Sequence, residues 1–145
     1  MIRKYPITIF AVIIIVVGAA VFVMQQPQVI APVDNSKDSL IRLQSPQPNT
    51  VITSPLTLKG EARGYWYFEA SFPVRLVDAN GNDVPLDPPY VMTANEWMTE
   101  NFVAFTTTHA FTAPAADTGT LILMKDNPSG LPEHDDELRV PIRFR

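Results

Sequence analysis

From residue 40 to residue 145 the chain alternates apolar and polar side chains with a period of two. Leu56, Leu58, Gly60 and Ala62 alternate with Thr57, Lys59, Glu61 and Arg63. Phe68, Ala70, Phe72, Val74 and Leu76 alternate with Glu69, Ser71, Pro73 and Arg75. Leu138, Val140, Ile142 and Phe144 alternate with Arg139, Pro141, Arg143 and Arg145. Successive side chains of an extended strand point to opposite faces, so each segment offers one face to a core and one to water. Antiparallel strands packed on a single core meet that requirement. The 14 prolines against 6 glycines, with many Val, Ile, Thr and Phe, also favour strands and turns over helices.

About seven short strands, with turn signals every 8–15 residues or so, predict an all-β, immunoglobulin-like antiparallel β-sandwich rather than a closed barrel. Asn80-Gly81 suits a tight hairpin, because both residues tolerate positive φ. Asp117 and Gly119 mark a turn before Thr120–Lys125, whose apolar run reads as a more buried strand. Residues 93–100 are expected to form a short helical turn with Trp97 pointing inward. Pro73 and Pro141 cannot donate ladder hydrogen bonds, so each is expected on an edge strand or at a bulge. Such prolines protect an edge against aggregation, or mark where a partner strand docks.

The N-terminus carries a different signal. Ile7–Met24 is an apolar run of 18 residues, interrupted only by Thr8 and Gly18. As a helix it spans roughly 27 Å, close to a bilayer hydrocarbon core of about 30 Å. Arg3 and Lys4 precede it and no basic residue follows until Lys37, which places the N-terminus in the cytoplasm and the remainder outside. A cleaved signal peptide is the competing reading, with an apolar region of about 7–15 residues and a small-x-small site. Here the run ends Val21-Phe22-Val23-Met24-Gln25-Gln26, with Ala19-Ala20 inside the apolar stretch, so a retained anchor is expected. The domain plan is a cytoplasmic region 1–6, a transmembrane signal anchor 7–24, an extended proline-containing linker 25–39 and a sandwich 40–145.

Composition removes several function classes. With 46% hydrophobic and 18% charged residues, this is not a disordered chain. A net charge of −4 lacks the basic footprint that nucleic acid requires. Without Arg3 and Lys4, 9 basic residues face 15 acidic ones, a net charge of −6 that does not attract anionic lipid. The absence of cysteine excludes disulfides, thiolate metal sites, thiol catalysis and a lipoprotein anchor.

Several stretches resemble a known family in order along the chain. They are Ser45-Pro46-Gln47-Pro48-Asn49, Ser54-Pro55-Leu56, Gly60-Glu61-Ala62-Arg63-Gly64, Phe68-Glu69-Ala70-Ser71-Phe72-Pro73-Val74, Asp78-Ala79-Asn80-Gly81, Trp97-Met98-Thr99-Glu100 and Asn127-Pro128-Ser129-Gly130-Leu131-Pro132-Glu133. They are similar to those of the immunoglobulin-like domain of bacterial spore germination proteins, over about Arg42–Phe144. The resemblance implies an immunoglobulin-like sandwich at the bacterial surface, with no assigned activity or ligand. Better-known members carry this domain beside a sporulation-associated domain, where this chain has the apolar N-terminal run. Pro85-Leu86-Asp87-Pro88-Pro89-Tyr90 is richer in proline than the small-residue turn expected there.

No Gly-x-Ser-x-Gly elbow, His-Glu-x-x-His, phosphate-binding loop or dinucleotide fingerprint occurs, and the histidines are His109 and His134. His109 shares a strand face with Phe105, Thr107 and Phe111 and reads as a packed residue. Ser129 lies five residues from His134, with no third group marked to orient that imidazole. The segment 125–137 is the most chemically loaded, with five carboxylates. Asp126, Asn127, Glu133, Asp135 and Asp136 offer hard oxygen donors suited to Ca²⁺, although not in EF-hand order. The alternative is a solvated loop built on the Asn127-Pro128-Ser129-Gly130 turn.

Tyr65-Trp66-Tyr67-Phe68 places four aromatics in a row, which a strand cannot all turn inward. Two readings stand: exposed rings that anchor a partner or stack on sugar, flanked by Arg63 and Glu69 as hydrogen-bonding groups, or a loop that folds back and buries Trp66 as a plug. Arg63 and Glu69 also qualify as a pair across a turn. The sequence thus predicts a non-enzymatic, membrane-anchored extracytoplasmic binding or scaffolding module. Its candidate ligand-contacting residues are Arg63, Tyr65, Trp66, Tyr67 and Glu69. An envelope protein is the expected partner, with peptidoglycan or polysaccharide binding and Ca²⁺-dependent adhesion as the alternatives, and no cofactor is required.

Overall fold

A computed structural model describes residues 35–145; the expected anchor 7–24 and the linker up to residue 34 lie outside the described residues. Seven strands follow in order: β1 (Ile41–Ser45), β2 (Leu56–Arg63), β3 (Ser71–Asp78), β4 (Tyr90–Met92), β5 (Phe102–His109), β6 (Thr118–Met124) and β7 (Glu137–Arg143). They form two antiparallel sheets, β1-β2-β5 and β4-β3-β6-β7. In immunoglobulin lettering these are A-B-E and C′-C-F-G. Among the described residues no helix is long and apolar enough to cross a membrane.

The alternation seen in the sequence becomes burial. Leu56, Leu58 and Ala62 of β2, Phe72, Val74 and Leu76 of β3, and Leu138, Val140 and Ile142 of β7 all belong to one core cluster. The sheets meet through Phe72 and Phe105, whose rings pack edge-to-face at 5.4 Å between centroids. The apolar run of β6 has its own cause. β6 is an interior strand, and Ile122 on its outer face is only 2% exposed between the cross-strand neighbours Arg75 and Arg139. Arginine stems at such positions cover apolar surface while keeping their charge in water.

Several local expectations are corrected. Residues 93–100 form bends rather than a helical turn, although Trp97 does pack against the core. The hairpin expected at Asn80-Gly81 does form, with Gly81 N closing on Asp78 O at 3.0 Å and Val77 bridging Asp83; Gly81 alone takes positive φ (83°), and the Asp78 carboxylate accepts the Asn80 and Asn82 amides at 2.8 and 2.9 Å. Gly119 marks no turn. It lies within β6, where a Cβ would collide with the Val77 carbonyl and the Phe144 ring. Phe68 and Ala70 fall outside β3, since Glu69 and Ala70 adopt φ of 50° and 63°.

Pro141 does lie on the edge strand β7, and residues 49–52 run along that edge, with Asn49 N donating to Pro141 O at 2.7 Å and Ile52 N to Arg143 O at 2.8 Å. Pro73 instead occupies the interior strand β3. Its pairing with β4 ends at Pro73, and the pairing with β6 begins at Val74, so its missing N–H falls where no β6 ladder bond is required. The antiparallel pairings gather residues 35–40, 64–70, 93–101 and 125–136 at one end of the sandwich.

Candidate functional site

The loop between β2 and β3 (the B–C loop) begins with a 3-10 turn at Gly64–Trp66. Gly64 donates to Asn101 O at 3.0 Å, and a Cβ there would collide with the carbonyl oxygens of Trp97 and Thr99, so no larger residue fits without displacing backbone. That close approach drives Trp66 fully inward, where its indole Nε1 has no hydrogen-bond partner. Tyr67 is 3% exposed, packs edge-on against Phe72 at 5.1 Å and donates its hydroxyl to Val103 O at 2.9 Å. Burial pushes its phenol pKa up. Phe68 and Ser71 then exchange both backbone hydrogen bonds around Glu69-Ala70, a two-residue turn with positive φ at both central positions.

The four aromatics therefore divide two and two. Trp66 and Tyr67 are interior, so the plug reading holds for Trp66 and extends to Tyr67. Tyr65 and Phe68 remain 49% and 41% exposed. Neither ring is needed to fill the core, which leaves both free for contact.

The loop between β6 and β7 (the F–G loop) is ordered by its own polar side chains. Asn127 Nδ2 donates to Leu131 O at 2.8 Å and to Asp135 Oδ1 at 2.7 Å, which turns its Oδ1 toward Ser129. Ser129 Oγ donates to that oxygen at 2.5 Å, and Gly130 N closes the turn on Asn127 O at 3.2 Å. With its one proton committed to Asn127, Ser129 accepts from His134 Nδ1 at 3.0 Å. In this arrangement the imidazole faces a hydroxyl whose proton is already directed to Asn127, and the contact helps to order the loop. Asp136 pairs with Lys37 and caps Glu137 N at 2.9 Å.

The five oxygen-bearing residues considered for Ca²⁺ are thus spread along the loop. Asp135, Asn127 and Asp136 spend oxygens on hydrogen bonds, and Glu133 lies exposed. Among the described residues no three His, Cys, Asp or Glu side chains converge as a metal-ligand set.

The two loops meet. Asp126 N donates to Trp66 O at 3.0 Å, and the loops enclose an open cleft of about 470 Å³ lined by Tyr65, Tyr67, Phe68, Asp126, Pro128 and Ser129 among others. Burial, and then the nearby Glu69 charge, push the Asp126 carboxyl pKa above its ordinary value. B–C and F–G loops at one end of a sandwich are also the positions by which variable immunoglobulin domains contact antigen.

Arg63 is not part of this cleft and does not pair with Glu69. Its guanidinium lies 4.0 Å from the centroid of Phe102, with Arg42 at 4.1 Å from the same ring. Arg63 Nε and Arg42 Nε donate to Ser39 O and Asp38 O at 2.9 and 2.7 Å, and Arg42 also pairs with Glu61 at 2.9 Å. These contacts fasten the start of the domain to the first sheet. Phe102 escaped sequence reasoning because only the register of β1, β2 and β5 shows which outward residues become neighbours. His109 is fully buried; its Nδ1 lies 2.6 Å from Pro88 O and its Nε2 2.8 Å from Thr107 Oγ1. A carbonyl only accepts, so Nδ1 carries the proton and the imidazole acts as a structural bridge.

No curated protein and no solved structure matches the chain. A family model describing the immunoglobulin-like domain of bacterial spore germination matches residues 40–131, from the start of the sandwich into the F–G loop, and the chain belongs to that family.

Proposed function

We propose that this chain is a non-enzymatic binding module, held at the cytoplasmic membrane by residues 7–24 and displaying its sandwich outside, where the B–C/F–G cleft engages an envelope protein. The observation that carries the reading is the pair of exposed rings, Tyr65 and Phe68, over a cleft whose framework is otherwise committed to packing. Exposed aromatics on a rigid scaffold anchor interfaces at low entropic cost. The apolar run behind Arg3 and Lys4 supports the anchored, outward orientation. Engagement of Ser129 by both Asn127 and His134 supports binding over catalysis.

A photocrosslinking residue at Tyr65 in producing cells is expected to yield a discrete protein adduct. The same residue at exposed Asn80, in the hairpin at the opposite end, is expected to yield none. Equal crosslinking from both positions, or none from either, would sink the reading. A second reading, wall polysaccharide binding, draws on the same two rings as stacking surfaces. Saturable co-sedimentation of the full chain with purified sacculi, lost on Tyr65→Ala, would favour it.

A further inference from the structure

We propose that β4 pairs with β4 of a second copy of this chain about a two-fold axis, joining the two β4-β3-β6-β7 sheets into one. This surface is separate from the cleft and follows from the register of β4. In an antiparallel pair, residues that exchange both hydrogen bonds alternate with residues that exchange none. Val74 N donates to Pro89 O and Thr93 N to Ala70 O, each at 3.0 Å, so within β4 it is Val91 that bonds with Phe72. The N–H and C=O groups of Tyr90 and Met92 therefore point away from β3, along the open edge of the sheet. Among the described residues no other backbone group bonds to them.

Edge strands commonly carry charges that repel another strand. Here Tyr90 and Met92 are 43% and 52% exposed on the outer face, and Met92 lies opposite Ser71, whose bridge partner is the exposed Phe68. No charged residue occurs from Pro88 to Asn95, in a chain of net charge −4. The other edges are engaged by the chain itself along part of their length. Residues 49–52 follow β7, and Thr93 Oγ1 and Asn95 Nδ2 both donate to Ala104 O of β5 at 2.9 Å. β1 faces β7 across a cavity of about 110 Å³.

The edge is complementary to itself. With Val91 opposite its own counterpart, Tyr90 of each copy stands opposite Met92 of the other, and both pairs exchange their backbone hydrogen bonds. Ring and thioether then meet on the outer face, a favourable contact. In that register Asp87, the first acid before β4, falls opposite Asn95, and Glu96, the first acid after it, falls opposite Leu86. An acidic chain thus meets its copy without like charges face to face. Pro88 and Pro89 lack N–H groups and end the ladder, so the contact closes on a dimer.

The test uses the full chain in a neutral detergent, where no native cysteine competes with an introduced one. Tyr90→Cys and Met92→Cys chains carrying different tags are mixed and oxidised with copper–phenanthroline. They are expected to give at least about tenfold more disulfide-linked heterodimer than two differently tagged Asn80→Cys chains, because opposed residues of a bonded pair lie about 5.5 Å apart at Cα. Equal yields from the two mixtures would overturn the pairing, as collision of exposed thiols. Hydrogen exchange of the cysteine-free chain gives a second readout. The Tyr90 and Met92 amides should exchange at least about fivefold more slowly at about 1 mM than at about 10 μM protein. Met92→Pro removes an N–H that β3 does not use, and Met92→Lys adds a charge to the edge. Each, with an unchanged melting temperature, should abolish the concentration dependence at Tyr90. Exchange that ignores concentration, or protection that survives both variants, would overturn the proposal. Amides unprotected at about 1 mM yet protected in an extract of producing cells would overturn the second copy and assign the edge to a strand of another protein.

Discussion

The Tyr67 hydroxyl donates to the backbone carbonyl of Val103 at 2.9 Å, tying the B–C loop to β5 of the first sheet. Two residues away, Tyr65 shares this residue type but is half exposed. The pair therefore separates stability from binding within one loop. Tyr67→Phe should cost about 1 kcal/mol, the net worth of a buried hydrogen bond. Tyr67→Ala should cost about 3–5 kcal/mol, the range for emptying a large aromatic site. Tyr65→Ala should stay within about 0.5 kcal/mol of the parent chain. Urea unfolding of the three variants tests this order. A Tyr65→Ala loss as large as that of Tyr67→Ala would show that Tyr65 belongs to the core.

Glu69-Ala70 stores backbone strain in the turn that Phe68 and Ser71 close. Both residues hold positive φ without being glycine, a conformation that costs roughly 1–2 kcal/mol per L-residue. Glycine relieves that cost and returns part of it through unfolded-state entropy. Ala70→Gly should therefore raise stability by about 0.5–1 kcal/mol, read as a shift in the urea midpoint at unchanged m-value. A drop would mean that the Ala70 methyl contributes packing that outweighs the backbone relief.

His109 links stability to pH. Burial lowers its pKa below the ordinary histidine value, only partly offset by its bond to Pro88 O. The unfolded chain therefore binds a proton more readily than the folded one, so stability is fully present above about pH 6.5 and falls as pH drops below it. Urea midpoints between about pH 7.5 and about pH 5.5 should show that decline. His109→Asn keeps a donor toward Pro88 O and removes the titration, so it should lower the midpoint at neutral pH and flatten the acid slope. An unchanged slope in His109→Asn would assign the acid sensitivity to other groups.

What the sequence made legible follows from where period two is local and where register intervenes. The alternations of β2, β3 and β7 name their buried faces directly, because each strand packs one side on the core. The turn chemistry was legible in part. Asn80-Gly81 does close a hairpin, with Gly81 alone at positive φ and the Asp78 carboxylate holding the Asn80 and Asn82 amides. The turn with positive φ at both central residues lies instead at Glu69-Ala70, residues that carry no turn signature. The aromatic run marked the right loop, but which two rings stay outside depended on the approach of Gly64 to the 97–99 backbone, a contact far from it in sequence. The F–G loop was recognised as polar and acidic. That its polar atoms bond to one another rather than converge on an ion needed the coordinates.

Those internal bonds set the expectation for Ca²⁺. Asn127 Oδ1 and Asp135 Oδ1 accept from Ser129 and Asn127 at 2.5 and 2.7 Å, while Asp136 is held by Lys37 and by Glu137 N. To ligate a cation, the loop would have to break these bonds and free Asp136 from its lysine. The melting temperature of the full chain is therefore expected to be the same in about 1 mM Ca²⁺ and in EDTA. A site with a Kd near 10 μM would instead add about 2.7 kcal/mol at that concentration. For a sandwich of this size that would raise the melting temperature by several degrees. Such a rise, abolished by Asp135→Asn but not by Asp78→Asn, would show that the loop rearranges around the ion and would make Ca²⁺-dependent adhesion the better account of the cleft.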